Sequence, residues 1–450
     1  SDVCSSDLIA FRILLLIGTK TPWLILGFMV PTAFLSMWMN NFSTTALMLP
    51  IVCAVIEEIE KPGDEANNDE LSKTKIKDAI ESDSENVKDT SEDKVLKTLM
   101  LLSVAYAANI GGTGSLMGTA PNLIFKGIIE SYGVTKVNFV TWMVFGVPLI
   151  IVLLLITWFW LQLYFLGPKK LFQYKNERSS CQVKTMLKGK YQALGNITSH
   201  EIIVLILFIT VILLWVFREP GFMPGWAGLF PQVYVGDSVP VFLILILMFM
   251  LPSNPTTPCK AWKASQSDAP RTSPRVLEWS AISKKIPWGT VILISGGFAL
   301  SEGVKRSGLS VLLREHMIGL KSLDPPLIVF LVTCLIAFIT ELASNTSTAT
   351  IMLPVLAELA EAIHVNPLYM LIPATFSTSF AFMLPVATPP NSLVYVESKM
   401  KMSDMMKAGL VMNLICIGML NIFINTYGVF LFDLREYPSW ASSNSSHPHK

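Results

Sequence analysis

The sequence predicts an all-α polytopic membrane protein, and three observations carry that prediction. Of 450 residues, 52% are hydrophobic and 15% charged, with a mean hydropathy of +0.53, whereas a soluble domain carries about 25% charged residues. The charges gather at 58–98, 168–191 and 252–287. Between them lie apolar runs, several reaching the roughly 20 residues that cross hydrocarbon as a helix. Lipid offers a backbone N–H or C=O no partner, so such runs read as helices rather than strands. A net charge of +1, with no basic patch interleaved with aromatics, sets a nucleic-acid partner aside. The six cysteines, at 4, 53, 181, 259, 334 and 416, form no CxxC pair or His/Cys spacing, so neither a zinc nor a redox site is expected.

Residues 1–8, SDVCSSDL, have no basic n-region or cleavage site and read as the non-native or disordered start of an N-terminally truncated fragment. Apolar segments follow near 22–38, 42–56, 97–128, 138–166, 201–217, 239–251, 288–302, 326–341, 347–360, 367–388 and 407–432. They divide the chain into an arm, span and first hairpin over 9–57, a charged linker over 58–98, and the rest of a first half over 99–167. A basic loop over 168–200 leads to further spans over 201–308, which carry the polar loop 252–287. A second arm, hairpin and final spans fill 309–434, and 435–450 reads as an extracellular tail.

The basic excess at 168–191 and 252–287 places both loops on the cytoplasmic side. The intervening 218–238, with one Arg and the texture EPGFMPGW, falls on the other face. The acidic, aromatic-poor 58–98 linker reads as disordered and cytoplasmic. Asn444-Ser445-Ser446 is a glycosylation sequon, usable only on the outer side. The matches at Asn41, Asn196 and Asn345 lie at membrane depth or inside and read as chance.

Residues 8–56 and 309–357 resemble each other. LIAFRILLLIGTKTPWLI aligns with LSVLLREHMIGLKSLDPPLIV, and SMWMNNFSTTALMLPIV with ITELASNTSTATIMLPVL. A second echo follows in each half, Gly118-Thr119-Ala120-Pro121-Asn122 and Ala387-Thr388-Pro389-Pro390-Asn391. The loops after the two hairpins fall on opposite sides, as an inverted-topology repeat requires, and interrupted segments in matching positions point to a transporter site near the bilayer midplane. Unwound carbonyls and Ser, Thr and Asn oxygens suit Na⁺, while the N–H groups of a helix N-terminus suit an anion. Such a neutral pocket avoids the desolvation cost of a buried Arg or Lys. A lone Ser, Thr or Asn in an apolar helix more often serves its own i−4 carbonyl or a neighbouring helix; the duplication raises these residues above that reading. Glu341, at membrane depth beside the second cluster, is a functional candidate or the partner of a nearby hydroxyl. His364 reads as solvated, and Met400, Met402, Met405 and Met406 as interfacial packing.

The stretch from Thr378 to Val394, TSFAFMLPVATPPNSLV, together with Ser344-Asn345-Thr346 and GFALSEGVKRSGLS, resembles the divalent anion:sodium symporters, which include dicarboxylate, citrate and sulfate cotransporters. The resemblance runs from about Ile9 to Trp440, outside the 58–98 and 252–275 loops, and LPVATPPN with Asn366-Pro367-Leu368-Tyr369 is closest to the animal dicarboxylate and citrate branch. It implies an inverted-repeat transporter of the elevator type. Two helical hairpins and broken helices would form a transport domain that slides against a scaffold, 201–308 included, in a plasma-membrane homodimer. It assigns one sodium to Ser36, Asn40, Asn41 and Gly118 and another to Thr340, Ala343, Asn345 and Ala387. The anion, a di- or tricarboxylate, would touch Asn40, Asn41, Phe42 and Thr119 in the first half, and Ser344, Asn345, Thr346, Thr388 and Pro389 in the second. Sodium is the coupling ion and no organic cofactor is implied. The family motif Ser-Asn-Thr is kept at Ser344–Thr346, but the first copy reads Asn40-Asn41-Phe42; one hydroxyl donor is lost and an aromatic ring added. Relative to the family, about three N-terminal spans are expected to be missing. A sulfate carrier, a sodium-independent dicarboxylate exchanger, an anion channel and a non-transporting scaffold stand as alternatives. An intramembrane enzyme has no visible catalytic pair.

Overall fold

The structure, a computed structural model, describes residues 21–60, 82–132, 137–167, 188–189, 192, 198–220, 223–230, 235–253, 275–286, 288–307 and 323–442. The arms at 9–20 and 309–322, most of both basic loops, Asn196 and Asn444 lie outside these residues. The regular elements described are helices, with one isolated β-bridge between Pro252 and Arg275.

The first half comprises α1 (Thr21–Ser36), α2 (Asn41–Glu60), α3 (Ser82–Gly111), α4 (Ala120–Ser131) and α5 (Phe139–Leu166). Then follow α6 (Ser199–Val216), α7 (Ser238–Met250), the short α8 (Trp279–Lys285) and α9 (Trp288–Arg306). The second half comprises α10 (Pro325–Leu342), α11 (Asn345–Ala362), α12 (Pro367–Ser377), α13 (Pro389–Ser398) and α14 (Met402–Phe423). A π-helical turn at Ile424–Gly428 carries α14 into α15 (Val429–Phe432).

Local chemistry fixes the ends. Asn138 and Thr141 form a reciprocal capping box at the start of α5, with N–O distances of 2.8 and 2.9 Å, and Thr198 and Glu201 do the same for α6, satisfying N–H groups that have no intrahelical acceptor. Pro opens α4, α10, α12 and α13, where its missing N–H costs nothing. The apolar segments 97–128 and 367–388 are interrupted: Gly112–Thr119 and Thr378–Thr388 leave the α-helical path. The stretch read as a linker over 58–98 is helical at both ends: α2 runs to Glu60 and α3 starts at Ser82. Its last third is rich in Glu and Lys, good helix formers, and runs straight into the apolar 96–111.

Among the described residues, five helical stretches are long and apolar enough to cross a membrane: Lys94–Gly114, Phe139–Leu166, Ser199–Val216, Pro325–Leu342 and Met402–Phe432. Lys94–Gly114 is 89% buried and Ser199–Val216 only 17%, which separates an interior helix from a peripheral one. α3 is the central post, packed by α1, α2, α5 and α13. On the outside, Ile202, Leu205, Ile206 and Ile209 of α6 and Phe242, Leu243 and Ile246 of α7 are exposed, a continuous apolar surface suited to lipid. The halves interlock: α13 of the second lies on α2, and α4 of the first lies on α11. Trp142 of α5 ties them further, stacking on Phe376 at 5.0 Å and donating from Nε1 to Thr113 O at 2.9 Å.

Candidate functional site

Both hairpins turn inside a short break, and each break gathers oxygens. In the first, Ser36 ends α1 and Asn41 opens α2; Ser36 Oγ lies 2.7 Å from Asn41 Oδ1 and 2.8 Å from Ala108 O. In the second, Thr340 sits in the last turn of α10 and Asn345 opens α11; Thr340 Oγ1 lies 2.9 Å from Asn345 Oδ1 and 2.8 Å from Thr378 O. Each cluster is thus a hydroxyl, a side-chain carbonyl and a main-chain carbonyl, with one proton for two acceptors. Three residues past each tip Asn, the buried hydroxyls of Thr44 and Thr348 have no hydrogen-bond partner among the described residues. Spare oxygen lone pairs and few protons form a donor set for a hard, weakly charged cation rather than for an anion.

The remaining expected residues take their places along the breaks. Asn40 caps α2 with its Oδ1 accepting from Phe42 N at 2.9 Å, and Phe42 is 46% exposed in the first turn. Gly118 and Thr119 end the break before α4; a Cβ on Gly118 would fall 2.3 Å from Gly112 O and 3.0 Å from Ser36 O, so only glycine fits beside the first cluster. Ala343 and Ser344 are the two residues between α10 and α11, and Thr346 lies in the first turn of α11. The Ser344 side chain makes no capping bond, unlike Asn40. Ala387 ends the second break, Thr388 caps α13 and Pro389 is its first residue. The structure therefore joins Ser36 to Asn41 and Thr340 to Asn345; Phe42, Ser344 and Thr346 share the tips by chain position, while Thr119 and Pro389 stand where the broken segments resume as helices.

One device holds both breaks open. Asn122 Nδ2 donates to Gly112 O at 3.2 Å and Ser115 O at 2.7 Å, ten and seven residues back. Asn391 Nδ2 donates to Ala381 O at 2.8 Å and Leu384 O at 3.1 Å, again ten and seven residues back. Both asparagines are fully buried, and each satisfies carbonyls that the lost helix turns would otherwise leave unpaired in apolar surroundings.

Two features differ from sequence-based expectation or escape it. Among the described residues Glu341 pairs with no hydroxyl; its Oε1 accepts from Phe382 N (2.8 Å), Met383 N (3.0 Å) and Asn413 Nδ2 (2.7 Å), and its Oε2 from Leu384 N (3.0 Å). The carboxylate thereby occupies the freed N–H groups of the second break. The first break uses Ser115 instead, whose Oγ donates to Met37 O and accepts from Gly118 N at 3.1 Å. On α3, Tyr106 Oη donates to Phe382 O at 3.1 Å, and Asn109 reaches Thr388 and Asn391; neither residue stood out in the sequence. His364 is exposed as expected, and Met405 is fully buried while Met402 is 45% exposed.

Away from the breaks, Lys126 of α4 meets Asp237 Oδ2 at 3.7 Å, and Arg218 Nη1 meets Asp237 Oδ1 at 2.7 Å. The three side chains are at most 10% exposed, so the charges are mutually compensated rather than solvated.

Apolar spans around two interlocked hairpins, with oxygen clusters where the helices break, define a multi-pass membrane carrier. The family model described as "Sodium:sulfate symporter transmembrane region" matches residues 6–434. The chain is 37% identical to the Na(+)/citrate cotransporter of Rattus norvegicus, covering 96% of this chain and 80% of that protein. It is 36% identical to Na(+)/dicarboxylate cotransporter 3 of Mus musculus (97% and 79%) and 36% identical to solute carrier family 13 member 1 of Homo sapiens (97% and 81%). The chain belongs to the sodium:sulfate symporter family, within the branch that holds the animal citrate and dicarboxylate cotransporters.

Proposed function

We propose that the chain carries di- and tricarboxylates of the succinate and citrate class across a membrane, driven by sodium. The observation that carries this reading is the matched pair of oxygen clusters at the hairpin tips, Ser36–Asn41–Ala108 and Thr340–Asn345–Thr378. The two named cotransporters among the relatives support the choice of ion and substrate.

In this reading Ser36, Asn40, Asn41 and Gly118 ligate one sodium and Thr340, Ala343, Asn345 and Ala387 the other. The anion lies between the tips, against Asn40, Asn41, Phe42 and Thr119 on one side and Ser344, Asn345, Thr346, Thr388 and Pro389 on the other. Neither tip offers the anion an arginine or lysine. The bound cations supply the positive potential, which makes coupling obligatory: a carboxylate in a low-dielectric pocket without them is strongly disfavoured. The two halves form an inverted-topology pair, and their interlocked packing suits movement as one transport domain against a scaffold that includes α6 and α7. The protein works as a homodimer in the plasma membrane, with Asn444 glycosylated outside.

Uptake of radiolabelled succinate by cells expressing the protein, in sodium and then with choline replacing it, tests the reading. Saturable uptake that requires sodium and is blocked by unlabelled succinate is the expected result. Uptake at the same rate in choline overturns sodium coupling, and absence of uptake overturns the substrate class.

A further inference from the structure

We infer that Asn109 is a positioning residue that couples the two half-sites, so that cation binding at the first hairpin tip sets the geometry of the anion and cation site at the second. The inference rests on the carrier reading above and extends it to a residue outside both hairpins and both breaks.

Asn109 lies on the central helix α3 and is fully buried. A buried Asn that merely glues helices needs only the nearest acceptor. The partners of Asn109 are instead all side chains of the two half-sites. Its Nδ2 donates to Thr388 Oγ1 at 3.1 Å and to Asn391 Oδ1 at 3.3 Å, while its Oδ1 accepts from Asn41 Nδ2 at 3.5 Å. The other end of the Asn41 amide is the oxygen of the first cluster, 2.7 Å from Ser36 Oγ. At the far end, Thr388 Oγ1 caps α13 by accepting from Asn391 N at 3.4 Å, and Asn391 Nδ2 holds the carbonyls of the second break. One chain of hydrogen bonds thus runs from Ser36 through Asn41 and Asn109 to Thr388 and Asn391.

The order of donors gives this chain a direction. A cation on Asn41 Oδ1 draws electron density out of that amide and makes its Nδ2 a stronger donor to Asn109 Oδ1, across a contact that at 3.5 Å has room to shorten. Polarised in turn, Asn109 donates more strongly to Thr388 and Asn391; chains of this kind strengthen by roughly 10–30% per bond. Coupling between binding sites is reciprocal, so an anion held at Thr388 favours the cation at Asn41 equally.

The test is the sodium dependence of succinate half-saturation in the full-length chain, for wild type, Asn109→Ala and Asn109→Asp. Asn109→Asp keeps the size and the acceptor facing Asn41 but removes the donor to Thr388. Half-saturating succinate should fall as sodium rises in wild type, and that dependence should shrink at least threefold in both variants. A merely structural residue would lower surface abundance and maximal rate and leave the sodium dependence of half-saturation in place. Thermal stabilisation of the solubilised protein by succinate, at low and high sodium, gives the same readout without delivery to the cell surface. Variants with wild-type sodium dependence in a wild type that shows coupling overturn the inference alone. A wild type whose succinate half-saturation ignores sodium also overturns the inference, and uptake at the same rate in choline overturns sodium coupling with it.

Discussion

Asn413 Nδ2 donates to Glu341 Oε1 at 2.7 Å, joining the middle of α14 to the end of α10. The same carboxylate accepts from three successive backbone N–H groups, of Phe382, Met383 and Leu384. A single side chain therefore fixes the unwound stretch that begins at Thr378, whose carbonyl meets Thr340 at the second hairpin. Glu341→Gln keeps the shape but turns one of two acceptor oxygens into a donor facing N–H groups. The expected cost is about 2–4 kcal/mol, the loss of charge-assisted bonds plus an unsatisfied amide, seen as a lower unfolding midpoint of the solubilised protein. Wild-type stability in this variant would contradict the assignment.

Thr340→Val and Ser36→Ala each remove one hydroxyl oxygen from a cluster, the first without change of shape. Each should raise half-saturating sodium about tenfold, a loss of ~1.4 kcal/mol, at unchanged surface abundance. Sodium activation curves of succinate uptake decide the point; superimposable curves would place the cation elsewhere.

Phe42→Thr restores a hydroxyl at the tip of α2, where the aromatic ring is now 46% exposed. Citrate uptake relative to succinate should rise roughly fivefold, about what one added hydrogen-bond donor contributes. A competition assay with both labelled anions measures the ratio, and a ratio that stays put would mean that Phe42 does not face the substrate.

Gly118→Ala drives a methyl group to 2.3 Å from Gly112 O. Overpacking of this order costs about 1–3 kcal/mol and shifts backbone next to Ser36, so sodium affinity should fall together with thermal stability. Gly189→Ala, where a Cβ meets nothing within 4 Å, is the matched control, and equal behaviour of the two would remove the steric argument.

The spans, both hairpins and the tip residues Asn41 and Asn345 were legible because each announces itself locally, by an apolar run or by a polar cluster repeated in the other half. The staples Asn122 and Asn391 were visible only as part of an echo, since what they bind is backbone ten and seven residues upstream. Asn109 and Tyr106 were not legible at all. A single polar residue in an apolar helix has the same appearance whether it meets a neighbouring helix or a site 279 residues away. The partners of Glu341 escaped for the related reason that three of them are backbone groups of a segment whose unwinding is itself tertiary. The helical start at Ser82 was hidden by charge, which reads as a solvated linker.

The bond from Asn109 to Thr388 has a consequence for biosynthesis. Translation adds about 5–20 residues per second, so the 279 residues that separate these partners take roughly 15–55 s to make. Throughout that interval α1, α2 and α3 are already in existence, but the helix that lies on α2, α13, is not. The amide of Asn109 on α3 must therefore wait in the translocon or the bilayer without its partners Thr388 and Asn391, and the nascent first half is the stage at which a membrane chaperone has the most to protect.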